Sequence, residues 1–284
     1  MFRPHVILEG MDSLPTLPEA VTKLSELVKN ELATAEEFEQ AVLLDPVLTA
    51  NMIRASNAIN TNTNEPITSV RQAVEKIGMQ RLFEVAVGSS LRRTLPARIP
   101  GYGITAQKFW IHCIAAATIA ETLAKKLKLP SADQAFTAGM LHDIGQLAIG
   151  DFLAETMPEA NWWTFDSPEK ERNLLGSNHC DVGSEIARRW NLPQIVIDSC
   201  RWHHELTEIP EKCDTDMITV MHASDALAYM TGFPGVGYVG EVLHKLAPER
   251  LGISAQELYE IAKSVKHIIG QNAIATGMGK SLEG

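Results

Sequence analysis

Long apolar runs are missing from this chain. The longest, Ile111 to Ala120, is too short to span a bilayer and is interrupted by His112. The opening stretch "MFRPHVILEGMDSLPTLPE" lacks both the apolar core of about 7–15 residues and the small-residue cleavage site of a secretory leader. Cysteine is scarce as well. The four present, Cys113, Cys180, Cys200 and Cys213, fit neither a CxxC pair nor a disulfide framework. They read as reduced thiols, small and buried, and with the missing leader they imply a cytoplasmic protein.

A basic excess is also absent. Lys+Arg 25 against Asp+Glu 35 gives a net charge of −10. That excludes a general binder of phosphate backbones, which needs a basic face, while remaining compatible with one local basic pocket. No repeat or low-complexity segment stands out, and alternating β-branched segments are no longer than a few residues.

What is present is helix punctuation. In 284 residues, 45% hydrophobic and 21% charged, there is enough chain for one large or two modest helical domains. Thr34 with Glu37, Ser131 with Gln134 and Ser254 with Glu257 have capping-box spacing. Asp45-Pro46 and Ser167-Pro168 place a capping residue before a proline, and Gly78 follows "ITSVRQAVEKI" as a helix stop. The pattern predicts an all-α fold with helices near 18–30, 34–44, 46–57, 68–77, 80–93, 106–128, 132–150, 179–190, 194–205, 214–231 and 255–270. The Pro/Gly-rich stretch "RRTLPARIPGYGITAQ" marks a joint between an N-terminal helical layer, 1–100, and a C-terminal bundle, 101–284. The polar stretch at 57–66 reads as a loop and the tail at 276–284 as a frayed end.

Several of these helices carry a histidine or aspartate on an apolar face. His112 shares a stripe with Ala116, Ile119 and Leu123. His142 and Asp143 lie side by side in "AFTAGMLHDIGQLAIGDF". His179 sits with Val182, Ile186 and Trp190. His203 and His204 close "PQIVIDSCRWHH", and Asp225 shares a face with Ile218, Met221 and His222. Any one of these histidines alone fits a hydrogen-bonded core residue. Five imidazoles and two carboxylates converging in one core are another matter, because mutual hydrogen bonds would not satisfy them all. One or two divalent transition-metal ions would. The mixed nitrogen and oxygen donors suit Fe, Mn, Co, Ni or Zn better than Mg or Ca. Asp143 could bridge two ions roughly 3.5–4 Å apart, which makes His142 and Asp143 the candidate catalytic pair for phosphoester hydrolysis.

The order His112, His142-Asp143, His179, His203-His204, Asp225 resembles the HD superfamily of metal-dependent phosphohydrolases, its spacing most like the HD-GYP enzymes that cleave cyclic di-GMP. "SLPTLPEAVTKLSEL", "AVLLDPVLTANMIRASNA", "ITSVRQAVEKIGM" and "FWIHCIAAATIAETLA" are similar to the HDOD domain, and the resemblance covers residue 13 to about 230. It implies an HD-like multi-helix bundle and a regulatory role in bacterial signalling, since many HDOD proteins have lost ligands and have no demonstrated catalytic activity. Here the whole ligand set is kept. The chain departs from HD-GYP in lacking the Gly-Tyr-Pro signature after His203-His204. It also has Gln146 where those enzymes usually carry lysine, and Lys108 where some carry a glutamate ligand.

Two functions follow as expectations. The first is a metal-containing signalling protein that acts through a protein partner, with little or no cyclic di-GMP hydrolysis. The second is a phosphohydrolase on a nucleotide or other small phosphoester. A third reading leaves the histidines purely structural. A hydrolase should aim basic groups at the metal, and Lys108, Arg188, Arg189 and Arg201 are nearest in sequence. Arg188 and Arg189 read as a solvated helix face.

Overall fold

Capping side chains set most of the helix starts in the computed structural model, which describes residue 7 and residues 19–59, 66–92, 97–157, 165–236 and 243–275. The readings of a leaderless N-terminus, a loop at 57–66 and a frayed tail fall wholly or largely outside these residues.

One compact unit spans Pro15–Leu95 together with the chain from His267 onward. It contains α1 (Glu19–Lys29), α2 (Ala35–Leu43), α3 (Pro46–Ile59), α4 (Val70–Ile77) and α5 (Met79–Arg92). Thr34 and Glu37 form the expected reciprocal capping box at α2. Asp45 caps α3 through the Leu48 N–H at 3.0 Å. Gly78 ends α4 at φ +89°, a conformation open to glycine at little cost. Ala55 and Val85 pack α3 against α5.

The second unit, Pro96–Lys266 with the first residues of the chain, holds all seven candidate site residues. It opens with a two-stranded hairpin, β1 (Arg98–Ile99) paired antiparallel with β2 (Ile104–Thr105). This is the only sheet among the described residues, and at two residues per strand it is too short to leave a periodic trace in sequence. The helices follow: α6 (Ala106–Leu127), α7 (Ala135–Leu141), α8 (Ile144–Thr156), α9 (Pro168–Leu175), α10 (His179–Arg189), α11 (Gln194–Trp202), α12 (Thr215–Met230), α13 (Leu246–Leu251) and α14 (Ala255–Ser264). A last helix, α15 (Lys266–Ala275), begins at the boundary between the units.

Helix α6 is buried nearly all round and is rich in alanine, so α7 and α12 can pack closely on it. A Cβ on Gly139 of α7 would fall 2.4 Å from the Ala117 Cα of α6, so only glycine permits that approach.

Several sequence expectations need correction, among them the helix expected over 255–270, which is α14 and α15 parted at Val265. The helix expected over 132–150 is a 3₁₀ turn at Ala132–Gln134 followed by α7 and α8, broken at His142-Asp143. Ser131 and Gln134 form no capping box; the Ser131 hydroxyl donates to Asp214 at 2.8 Å instead. Two helices, α9 and α13, lie where none was expected, although Ser167-Pro168 had marked the start of α9. Among the described residues no helix is long and apolar enough to cross a membrane.

Candidate metal centre

The break between α7 and α8 places the central carboxylate. His142 is the C-cap of α7 and Asp143 the N-cap of α8. An N-cap aspartate ordinarily accepts from an N–H of the first turn, but Asp143 makes no such bond. Its two oxygens face opposite sides of a histidine cluster. Oδ2 lies 3.4 Å from His142 Nε2 and 3.9 Å from His112 Nε2, while Oδ1 lies 3.4 Å from His179 Nε2 and 3.6 Å from His203 Nε2. Asp225 joins the first side, with Oδ1 2.9 Å from His112 Nε2 and 3.6 Å from His142 Nε2.

Glycine lets α8 and α10 meet closely enough for this. A Cβ on Gly145 would sit 2.0 Å from the His179 carbonyl oxygen and 2.7 Å from the Gly183 nitrogen. The glycine of "HDIG" therefore sets the distance between Asp143 and His179.

Four ring orientations are fixed from behind. The Nδ1 of His112 contacts the Phe233 carbonyl at 2.9 Å, that of His142 the Gly139 carbonyl at 2.8 Å, and that of His203 the Ser199 and Cys200 carbonyls at 3.0 Å. His179 Nδ1 meets Glu171 at 2.9 Å, and the His179 backbone N–H donates to the same carboxylate at 2.6 Å. A carbonyl or carboxylate only accepts, so each Nδ1 carries the proton and each Nε2 turns toward the centre. Such backing is the usual support of a metal-binding imidazole.

The cluster is closed off except at His204. Asp143 and Asp225 are 3% and 4% exposed, His112 is 2% exposed, and His142, His179 and His203 are fully buried. His204 is half-buried, its ring 4.1 Å from that of His203. Among the described residues His142 Nε2, His203 Nε2 and Asp143 Oδ1 have no hydrogen-bond partner. Orphaned buried atoms of this kind cost free energy unless a cation or a proton serves them.

The electrostatics differ between the two sides of the cluster. Burial disfavours a proton on His142, but Asp143 and Asp225 more than offset it and hold its pKa well above the ordinary value. Burial opposes ionisation of both aspartates, yet His142 draws Asp143, and His112 with His142 draws Asp225, well below the usual carboxylate range. His204, buried beside His203 and His179, is pushed well down. Positive charge is thus favoured beside Asp143 and Asp225 and disfavoured at His203 and His204, which burial and the neighbouring imidazoles push down.

The donors fit a divalent ion. His112, His142 and Asp225 form one group whose ligating atoms all lie within 4.8 Å of one another, and His142, Asp143 and His203 form another. His179, Cys180, His203 and His204 form a third. All seven residues nominated from sequence therefore belong to one cluster.

The nominated basic residues do not. Arg188 and Arg189 pair with Glu185 on an open helix face. Arg201 pairs with Asp181 and Glu205 at 3.2 and 3.1 Å and lies over the Trp202 ring. Lys108 is exposed. Gln146 is fully buried, and neither end of its amide has a partner among the described residues.

Sequence reasoning missed Glu171. It lies in "PEKERNLL", a charged stretch where no helix is expected from the periodicity, yet it is fully buried behind His179. The one available signal was Ser167-Pro168, which starts α9 and so fixes where Glu171 points.

Fold and cluster together define an HD-like helical bundle with a His/Asp centre that could hold metal. The HDOD domain pattern matches residues 14–206, and the chain belongs to the HDOD domain family. A solved HDOD domain protein of unknown function from Geobacter sulfurreducens is similar over 97% of this chain and 96% of its own, at TM-score 0.74 and 22% identity. A Shewanella amazonensis SB2B protein, provisionally named a phosphohydrolase, is similar over 96% and 97%, at TM-score 0.71 and 23% identity. An uncharacterized protein of Treponema pallidum is 23% identical over 244 residues, 80% of this chain and 44% of that protein. Ribonuclease Y of Aquifex aeolicus is 28% identical over 173 residues, 60% of this chain and 24% of that protein. The chain spans less than half the length of either of these two relatives.

Proposed function

We propose that this is a regulatory HDOD protein of bacterial signalling, acting through a protein partner, with one or two transition-metal ions held by His112, His142, Asp143, His179, His203, His204 and Asp225. Hydrolysis of cyclic di-GMP is expected to be slight or nil. The observation that carries the reading is the sealing of the cluster: of its seven residues only His204 is more than 4% exposed. An extended dinucleotide needs an open mouth with cations aimed at its phosphates. The cations nominated for that task are engaged elsewhere or exposed, and Gln146 is neutral.

A phosphohydrolase is the second reading, and one observation favours it. The two oxygens of Asp143 face separate histidine pairs, as a bridge between two ions requires. When bound, such ions supply charge to a phosphoryl group and acidity to a water. The chain's own part would be to hold the imidazoles by their Nδ1 atoms and to exclude bulk solvent. Ribonuclease Y, by its name an enzyme acting on RNA, makes a phosphodiester the substrate class to try first.

The deciding assay supplies Mn or Fe and follows cyclic di-GMP, RNA and simple phosphoesters. The regulatory reading expects no turnover, or slow cleavage of generic esters only. Turnover of cyclic di-GMP or RNA at about 1 s⁻¹, ordinary for an enzyme, and abolished by Asp143→Ala, would establish the hydrolase instead.

A further inference from the structure

The two sides of Asp143 differ in chemistry. On one side stand His112, His142 and Asp225, two nitrogens and an oxygen donor. On the other stand His179, His203 and His204, and with them Cys180, a fully buried thiol. The sequence suggested only a small apolar residue there.

Cys180 is next to His179 at the start of α10, and its Sγ lies 3.5 Å from His179 Nε2. The ligating atoms of Cys180, His179, His203 and His204 all fall within 4.8 Å of one another. A tetrahedral zinc ion, with Zn–N of about 2.0–2.1 Å and Zn–S of about 2.3 Å, sets nitrogen and sulfur about 3.6 Å apart. The observed separation matches that edge. An S–H bond to His179 would account for the same contact, but it leaves His203 Nε2, fully buried in the same group, with no donor. One thiol proton does not serve several converging lone pairs, whereas one ion does.

The other buried thiols behave differently. Cys200 Sγ contacts the Leu141 carbonyl at 3.2 Å, and Cys113 and Cys213 join no such group among the described residues.

We propose that Cys180 is a thiolate ligand of this centre, making with His179, His203 and His204 a soft site selective for zinc, beside a harder site at His112, His142 and Asp225. The inference rests on the metal-binding reading above. Thiolate is the donor that favours zinc over manganese, and histidine with carboxylate accepts either. On binding, the thiol proton is released to solvent and the sulfur lone pair goes to the ion.

The test is X-ray absorption at the zinc edge on the full chain loaded with zinc. A sulfur shell at about 2.3 Å is expected, retained in Cys200→Ser and lost in Cys180→Ser. Zinc affinity in Cys180→Ala should fall at least tenfold, the lower end of the ~10–100-fold lost even when an outer-shell partner is removed. Cobalt in place of zinc should give a thiolate charge-transfer band in the near ultraviolet that disappears with Cys180. Far-ultraviolet circular dichroism checks that the variants fold, and the wild-type shell needs no variant at all. Bound zinc with a nitrogen and oxygen shell only, or a sulfur shell that survives Cys180→Ser, overturns the assignment and leaves the metal centre standing. Failure of the wild type to bind any metal overturns both.

Discussion

Glu171 holds His179 at two points: its carboxylate accepts the backbone N–H at 2.6 Å and faces the ring Nδ1 at 2.9 Å. Both residues are fully buried, so neither contact has a solvent substitute. Glu171→Ala should destabilise the fold by about 3 kcal/mol, as removing one partner of a buried charged or hydrogen-bonded pair does. Metal affinity should fall about 10–100-fold, the usual loss for a ligand's outer partner. Glu171→Gln keeps the shape and should recover much of the stability. Urea unfolding and metal titration of the two variants check both effects, and an unchanged affinity in Glu171→Ala would remove Glu171 from the site.

Gly145→Ala should be among the most damaging single-methyl additions in the bundle. The new Cβ would lie 2.0 Å from the His179 carbonyl, and backbone cannot swing aside as a side chain can. Overpacking ordinarily costs about 1–3 kcal/mol, and this contact belongs at the upper end or beyond. Parting α8 from α10 also parts Asp143 from His179, so metal affinity should drop together with the melting temperature.

Acid and metal compete for the same atoms. In the metal-free protein the aspartates more than offset burial and raise the pKa of His142, so its contribution to stability is full below the unfolded value of ~6.5. That contribution is lost as pH rises through the higher folded value. Asp143 and Asp225, depressed by the histidines despite burial, contribute above the ordinary value of ~3.9 and lose that contribution as pH falls through their folded values. A metal must displace the imidazole proton, so its stabilising effect should grow with pH. The melting-temperature difference between metal-loaded and chelator-treated protein should therefore be larger at pH 8 than at pH 6. A difference that shrinks with pH would contradict the arrangement.

Gln146 offers a separate check on the regulatory reading. A buried amide with no partner is costly, and replacing it with an apolar residue of similar length removes the cost. Gln146→Met should stabilise the protein by about 1 kcal/mol and leave metal affinity within about twofold. A large fall in affinity, or loss of a phosphoester activity, would instead make Gln146 a working group of the centre.

Much of this was legible in the sequence, for reasons that differ by residue. Caps such as Thr34 and Ser167 act locally, so their spacing carries them into the fold unchanged. His112 and Asp225 were legible because a polar residue on an apolar helical stripe points inward. The break at His142-Asp143 was hidden because apolar residues continue on both sides of it, and periodicity does not register a pause of two residues. His203 and His204 were placed within α11, but that helix ends at Trp202. Glu171 was hidden because burial of a charged helix face is decided by what packs on it. Cys180 was hidden because two of its three partners, His203 and His204, arrive from beyond the end of α11.

Metal content per chain, measured on protein purified without chelator, tests the central claim most directly. One or two transition-metal ions per chain are expected in the wild type, and Asp143→Ala, which removes the oxygens facing both histidine pairs, should lose them. A wild-type protein that holds no transition metal under reducing conditions, or an Asp143→Ala variant that binds as well as wild type, would contradict the account.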